Sequence, residues 1–333
     1  MRKVLFFSVN KRLFSVRKRI IYTLLVFLFI SLGAYAQSSA NEQGVIYVSS
    51  AKFSSPLVEK WIAEYTKLNP NVRIKPADKN NHNVDLSFVA NDESDSIAYA
   101  SGKMIAYVGR YALLPVTTKE NPLYERISKK KLGKKDIKNL FFIEDPLLEE
   151  ENNSKKNKIQ DLVTVYSGSN STSGTVIFAS HFGFTPSNLR GKKISGDDIY
   201  LLNAIQKDNT GVTFNNLSYI YDLKNRQLKD KIALLPLDLK KEQFEIISSE
   251  NIDQTLSLLE EQNIELIPVQ NIGFAYNKQE KENFDDFLQW IITDGQKFNH
   301  EYGFLNLDKR TLAYQKEQIK NQSGYPSNFL TNN

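Results

Sequence analysis

The segment Tyr166-Ser-Gly-Ser-Asn-Ser-Thr-Ser-Gly-Thr175, with Val176-Ile-Phe-Ala-Ser-His-Phe182 behind it, constrains this chain more than any other. The β-branched run Leu162-Val-Thr-Val165 leads into residues that are almost all Ser, Thr, Asn or Gly. An apolar run follows, with Phe178 and Phe182 four apart. The order reads as strand, polar loop and helix start, with Gly183 placed to close the helix. A helix opening on Ser173-Gly174-Thr175 presents unused backbone N–H groups, a positive dipole end and hydroxyl donors to one point. Those are the elements of an anion site. The same composition fits a flexible Ser/Gly linker, but a linker does not feed directly into a patterned apolar helix.

At 333 residues the chain exceeds one typical domain and suits two lobes, each with its own core. A hydrophobic content of 41% with 24% charged residues is that of a globular protein rather than a disordered one. The absence of cysteine excludes disulfides, thiolate metal sites, cysteine nucleophiles and an acylated lipoprotein cysteine. Residues 1–19 carry seven basic side chains and no acidic one. The apolar run Ile20–Gly33 and Ala34-Tyr35-Ala36 come next. This is the pattern of a secretory signal peptide over residues 1–36, cleaved after Ala36 and delivering a periplasmic protein. An uncleaved anchor is the alternative, for which the apolar run is short. The charge balance depends on that cleavage. The full chain is +5, with 43 Lys+Arg against 38 Asp+Glu; without the seven basic residues of 1–36 it has 36 against 38, a net −2. A nucleic-acid partner inferred from basicity would rest on a removed segment.

Along the chain, Gly44–Val48 reads as a strand and Ser49–Ser55 as a second hydroxyl-rich loop. Pro56 opens a helix with Leu57, Val58, Trp61, Ile62, Tyr65 and Leu68 on its apolar face, capped by Ser54 or Ser55 and stopped by Asn69-Pro70. Val72–Lys75, Val84–Val89, Met104–Val108 and Tyr111–Val116 read as strands, the last carrying Pro115 near a crossover. The lysine-rich stretch after Asn121-Pro122 reads as a solvated surface helix, Phe141–Ile143 as buried, and Leu147–Lys158 as an exposed insertion. Ser195-Gly-Asp-Asp198 is expected to cap a helix over Ile199–Gln206. Asp208–Gly211 forms a turn, Ile232–Leu237 a strand and Ile252–Glu261 a helix. Ile264–Val269 is the expected strand returning to the first lobe, and Phe284–Phe298 and Lys309–Lys320 are the last helices. The expected fold is α/β with two lobes, 44–114 plus 268–325 and 115–267, each a mixed sheet flanked by helices and joined by two crossing segments. Ligands of such sheets sit where strand ends meet helix N-termini, and both hydroxyl loops stand there.

Ser50-Ala-Lys-Phe-Ser-Ser-Pro56 with Glu59-Lys-Trp61, Val84–Asp92, Ser173-Gly174-Thr175, Phe287-Leu-Gln-Trp290 and Gly303-Phe304-Leu305 resemble, in order, motifs of the periplasmic phosphate-binding proteins of ABC importers. The resemblance covers about residues 44 to 320. It implies a clamp that holds phosphate or a related oxyanion and passes it to a membrane permease, the only link to a membrane. By position, Phe53 would give its N–H, Ser173 and Thr175 their hydroxyls, and Gly174 and Thr175 further N–H groups. Asp92 would be the carboxylate that accepts a proton from the ligand. Three departures stand out. The family's arginine falls at Ser169, its threonine before the phenylalanine is Lys52, and Lys75–Asn83 lacks its Gly-Ser-Ser-Gly loop. Losing one charge-assisted donor costs on the order of 1.5–3 kcal/mol, and Lys52 would restore a positive charge from the opposite lobe. A solvated lysine at a loop tip is the plainer reading of Lys52. The other functional class is a degenerate relative that binds a different ligand or a protein partner in the envelope.

Catalytic readings are weak. His82, His181 and His300 lack metal spacing, no G-x-S-x-G string occurs, Glu144-Asp145 and Glu149–Glu151 lie in a charged stretch, and no Walker or dinucleotide fingerprint appears. The sequence therefore points to a binding protein rather than an enzyme, with no cofactor and no metal.

Overall fold

The computed structural model describes residues 44–78, 83–90, 92–122, 124–143 and 162–320. The expected signal peptide, the insertion at 147–158 and His82 lie outside them. In chain order the strands are β1 (Val45–Val48), β2 (Arg73–Pro76), β3 (Ser87–Val89), β4 (Met104–Thr118), β5 (Thr164–Gly168), β6 (Lys192–Ile194), β7 (Gly211–Asn216), β8 (Tyr221–Asp222), β9 (Gln227–Leu228), β10 (Ile232–Leu234) and β11 (Val269–Tyr276). The helices are α1 (Ser55–Leu68), α2 (Asp92–Ala100), α3 (Tyr124–Lys129), α4 (Lys134–Phe141), α5 (Ser173–His181), α6 (Ile199–Lys207), α7 (Leu217–Ile220), α8 (Lys241–Ser248), α9 (Ile252–Glu261), α10 (Asp285–Ile292) and α11 (Lys309–Lys320). Contacts group Ile46–Asn333 into one unit; of Met1–Val45, Gly44 and Val45 alone are described.

The main sheet has the order β3-β11-β4-β7-β5-β6, with β10 also paired to β4. Its organiser is β4, a single strand of 15 residues where two short ones are expected. Residues 104–112 pair antiparallel with β11, and 113–116 then pair antiparallel with β7, while 116–118 take β10 on the other edge. The strand stays unbroken at Gly109-Arg110 because β11 absorbs the irregularity between Ile272 and Gly273. Arg110 N–H also finds Leu305 O at 2.9 Å. Pro115 is tolerated because its missing donor falls where its carbonyl still accepts Leu235 N–H, at 2.9 Å. β5 runs parallel to both β6 and β7 while β7 is antiparallel to β4, so the sheet as a whole is mixed.

Other boundaries move for local reasons. Val84–Val89 forms a ladder only from Ser87; Leu86 makes a parallel bridge to Val48 instead, and the Asp85 carboxylate accepts Tyr47 N–H at 2.7 Å. β5 begins at Thr164 and takes in Ser167 and Gly168, which shortens the polar loop to Ser169–Thr172. Ile264–Pro268 is not a strand: Ile267 N–H turns back to Ile264 O, and pairing starts at Val269. Ile264, Leu266 and Ile267 are buried all the same, so the apolar run reports burial and not ladder geometry. Phe284–Phe298 divides, because Thr293 leaves helical geometry (φ −108°, ψ −85°) before a 3₁₀ turn over Gly295–Phe298. The helix Ile252–Glu261 stands where expected, as does Lys309–Lys320.

The core has two aromatic centres. α1 buries Leu57, Val58, Trp61, Ile62 and Tyr65, and Trp61 Nε1 donates to Gly295 O at 3.0 Å. Leu68, expected on that face, lies past the last buried turn and is 68% exposed. On α5, Phe178 stacks on Phe214 of β7 with centroids 3.9 Å apart, and it contacts the rings of Phe141 and Phe182 at 5.0 and 5.1 Å. Gly183, with φ +82°, ends this helix as expected. No helix among the described residues is long and apolar enough to cross a membrane.

Phe178 thus fixes the position of the α5 N-terminus against the sheet. Phe178→Ala is predicted to cost about 3–5 kcal/mol of unfolding free energy, measured by denaturant titration.

Candidate anion site at the start of helix α5

Four segments bear on the start of α5 and on α6 beside it. The first is the end of β5. A Cβ at Gly168 would stand 2.7 Å from Thr175 Oγ1 and 2.9 Å from Thr172 Oγ1, so the strand passes the helix at a distance only glycine permits. Ser169, where the resemblance implies arginine, closes the loop: its carbonyl accepts Thr172 N–H at 3.0 Å and its Oγ lies 2.9 Å from Thr172 Oγ1. Thr172 stands at the helix boundary with extended backbone and makes no side-chain cap.

The second segment is the start of α6, which Ser195–Asp198 caps as expected, but through Asp197. Asp198 does not cap its own helix through its side chain. Asp197 does that work, with Oδ1 accepting Ile199 N–H at 2.9 Å. Asp198 turns instead to α5. Its Oδ2 lies 2.6 Å from where a Cβ on Gly174 would be, close enough for the Gly174 N–H to favour the ionised carboxylate. The protein therefore places its own carboxylate at the helix start that the sequence offers to an anion. Gly174 is required for that approach. Asn215 Nδ2 fixes the backbone beneath by donating to Asp198 O at 2.6 Å.

Asp198 is 8% exposed. Burial pushes its carboxyl up to about 7, Asp197 adds like-charge repulsion, and the Gly174 N–H offsets part of the rise. Asp198 Oδ1, Thr175 Oγ1 and Ser167 Oγ are all buried and have no hydrogen-bond partner within the protein. An unmade hydrogen bond at a buried polar atom costs about 1–3 kcal/mol, so three in segments that converge on one helix start mark a polar site.

The third segment is the β1–α1 loop. Ala51 O accepts Ser54 N–H and Ser55 N–H at 3.0 and 2.9 Å and Ser54 Oγ at 3.1 Å, so neither serine takes the expected side-chain capping role. Phe53 is buried, its ring 5.2 Å from Tyr111, 5.8 Å from Phe88 and 5.9 Å from Phe304. That anchor leaves Lys52 exposed at the tip, with Nζ 5.2 Å from the centre of the Tyr200 ring on α6. The loop thus reaches the same helix that supplies Asp198. The fourth segment is α2, which approaches α5 with Cα atoms within 8 Å. Asp92 opens α2, and its side chain is outside what the structure describes. Asp95, one turn on, is buried and accepts Tyr107 OH at 2.9 Å.

Of the six expected ligand residues, the structure places Ser173, Gly174 and Thr175 together at the start of α5. It brings Lys52 to α6 and buries Phe53 as the anchor of its loop. Asp198 was missed as a site residue. The signal was present in the Asp197-Asp198 pair, since one helix start uses one acidic cap and leaves the other. The described histidines have packing partners: His181 Nε2 lies 2.7 Å from Glu265 O, and His300 Nε2 lies 2.7 Å from Glu260 Oε1. Among the described residues no group of His, Asp and Glu could hold a metal ion.

No family model and no curated protein matches the sequence. Solved structures do resemble it. One from Clostridium perfringens, described as a phosphate ABC transporter substrate-binding protein with bound phosphate, superposes with a TM-score of 0.54 at 13% identity, over 79% of this chain and 100% of the other. The fold is that of a two-lobed periplasmic binding protein. An ABC-type phosphate transport receptor from Vibrio cholerae gives a TM-score of 0.49 at 11% identity, over 79% of this chain and 100% of its own. A possible phosphate-binding protein from Planctomyces limnophilus gives 0.46 at 11%, over 84% and 98%. The fold assignment rests on the first alone.

A carboxyl held near 7 in the folded state and at an ordinary 3.8 when unfolded keeps a proton that unfolding releases. Its contribution to the unfolding free energy therefore falls as pH rises from about 4 to about 7, and is flat above. Asp198→Asn is predicted to remove this falling component, read as the difference between denaturation midpoints of the two proteins at pH 5 and pH 8.

Proposed function

We propose that this chain is a periplasmic solute receptor that captures a small oxyanion of the phosphate class between two lobes and hands it to the permease of an ABC importer. The observation that carries this reading is the start of α5, where first-turn N–H groups and the unpartnered Thr175 hydroxyl converge inside a binding-protein fold. The lobes are 44–114 plus 268–325 and 115–267, closing about the two strands β4 and β11. Ser173, Gly174 and Thr175 bind the anion through hydroxyls and N–H groups, Phe53 adds its N–H from the facing loop, and Asp92 accepts a ligand proton. Lys52, already over α6, supplies the positive charge that Ser169 lacks. Lobe closure excludes water and strengthens each of these contacts. No step requires covalent chemistry, so the protein acts as a receptor and not as an enzyme.

A second reading has its own observation. Ser169 in place of arginine, and Asp198 against Gly174, together make the α5 start less welcoming to a doubly charged anion. They favour a relative that has kept the fold and binds another small ligand or an envelope protein.

Calorimetric titration with phosphate, sulfate and small organic anions separates the two. Saturable heat with an oxyanion is expected, with Lys52→Ala weakening it by about 1 kcal/mol, roughly fivefold. No heat and no thermal shift with any of these anions would end the transport reading.

A further inference from the structure

Asp198 makes the α5 site unlike a plain helix N-terminus. Its Oδ2 stands against Gly174, whose N–H favours the ionised form, while its Oδ1 is buried without a partner. An incoming anion needs the same N–H. An ionised Asp198 therefore competes with it for the donor and repels it at close range in a water-poor setting. A protonated Asp198 does the reverse, because its O–H becomes a donor to the anion and its claim on Gly174 weakens.

We propose that Asp198 couples anion binding to proton uptake: the anion seats at the α5 start only against the protonated carboxyl. This deepens the receptor reading above and rests on it. The proton comes from solvent, adds to an Asp198 oxygen and forms a charge-assisted O–H···O⁻ bond to the ligand, so one carboxylate charge is neutralised for each anion that enters. The surroundings suit that exchange. From its own element Asp198 faces Asp197, which is committed to Ile199 N–H. Tyr219 of α7 interacts with both Asp197 and Asp198, and Tyr200 lies beside Tyr219. Lys52 of the β1–α1 loop lies with its Nζ 5.2 Å from the centre of the Tyr200 ring. Burial first, and then the charge of Asp197, hold the carboxyl near 7, so it is ready to take a proton in the physiological range. The class of ligand that follows is a small oxyanion taken with one proton, so acidity of the surroundings favours loading.

The test is calorimetry with sulfate and with inorganic phosphate from pH 5.5 to 8.5, in two buffers of different ionisation enthalpy, on the wild-type protein and Asp198→Asn. Sulfate has no titrating group in this range, so any pH dependence it shows belongs to the protein. With whichever anion binds, the wild-type Kd is expected to rise about tenfold per pH unit above 7, with about one proton taken up per anion at pH 8 beyond that shown by Asp198→Asn. The variant's sulfate affinity is expected to be flat with pH. Binding by wild type with no excess proton uptake, or an unchanged pH profile in Asp198→Asn, would overturn the coupling and leave the receptor reading standing. No binding of either anion by either protein would overturn both. Should the variant fail to fold, carbon-13 NMR of the wild-type Asp198 carboxyl decides: its titration midpoint must move up when the anion that binds wild type is saturating, and an unmoved midpoint refutes the proposal.

Discussion

Main-chain hydrogen bonding along one 15-residue strand, Met104–Thr118, ties the two halves of this protein together. The strand trades β11 for β7 between Ala112 and Leu113 without losing its extended geometry, so each half-sheet is built on the same backbone. What packs on that strand fixes the site. Tyr111, on its first half, holds the Phe53 ring and with it the loop of Lys52. On its second half it pairs with β7, whose Phe214 supports Phe178 and so sets the height of α5. Two loops more than a hundred residues apart in sequence are brought toward each other through one strand.

Placed this way, the start of α5 is defined more by its neighbours than by its own sequence. Gly168 and Gly174 let β5 and Asp198 come close, and side chains at either position would push them apart. The result is a helix terminus whose electrostatics depend on one carboxyl. A neutral Asp198 leaves a donor-rich polar site, and an ionised one fills it. That balance is set by burial against a single backbone N–H, with Asp197 adding repulsion.

The parts legible in the sequence were those written in local patterns. The apolar faces of α1 and α9, the Phe178–Phe182 spacing and the stop at Gly183 each depend on residues within a turn or two. The two-lobed α/β fold followed from their alternation and from the order of the motifs. What could not be read depends on partners distant in sequence. Gly109-Arg110 looked like a break because the irregularity that accommodates it lies in β11. Ile264–Pro268 looked like a strand because buried residues of any geometry are apolar. The site shows the same division. Ser173-Gly174-Thr175 was visible as a helix start, whereas the role of Asp198 depends on a glycine 24 positions earlier. Its own neighbourhood offers only the Asp197-Asp198 pair, which shows that one carboxylate is spare but not which one or where it turns.

The central claim is that the first turn of α5 is the seat of an oxyanion. Anomalous diffraction from crystals soaked in selenate or arsenate below pH 6 tests it most directly. The account predicts one strong peak whose oxygens lie about 2.7–3.2 Å from the Gly174 and Thr175 backbone nitrogens, with Asp198 close enough to donate. A peak elsewhere on the protein with none at the α5 start, or no peak at all, would contradict it.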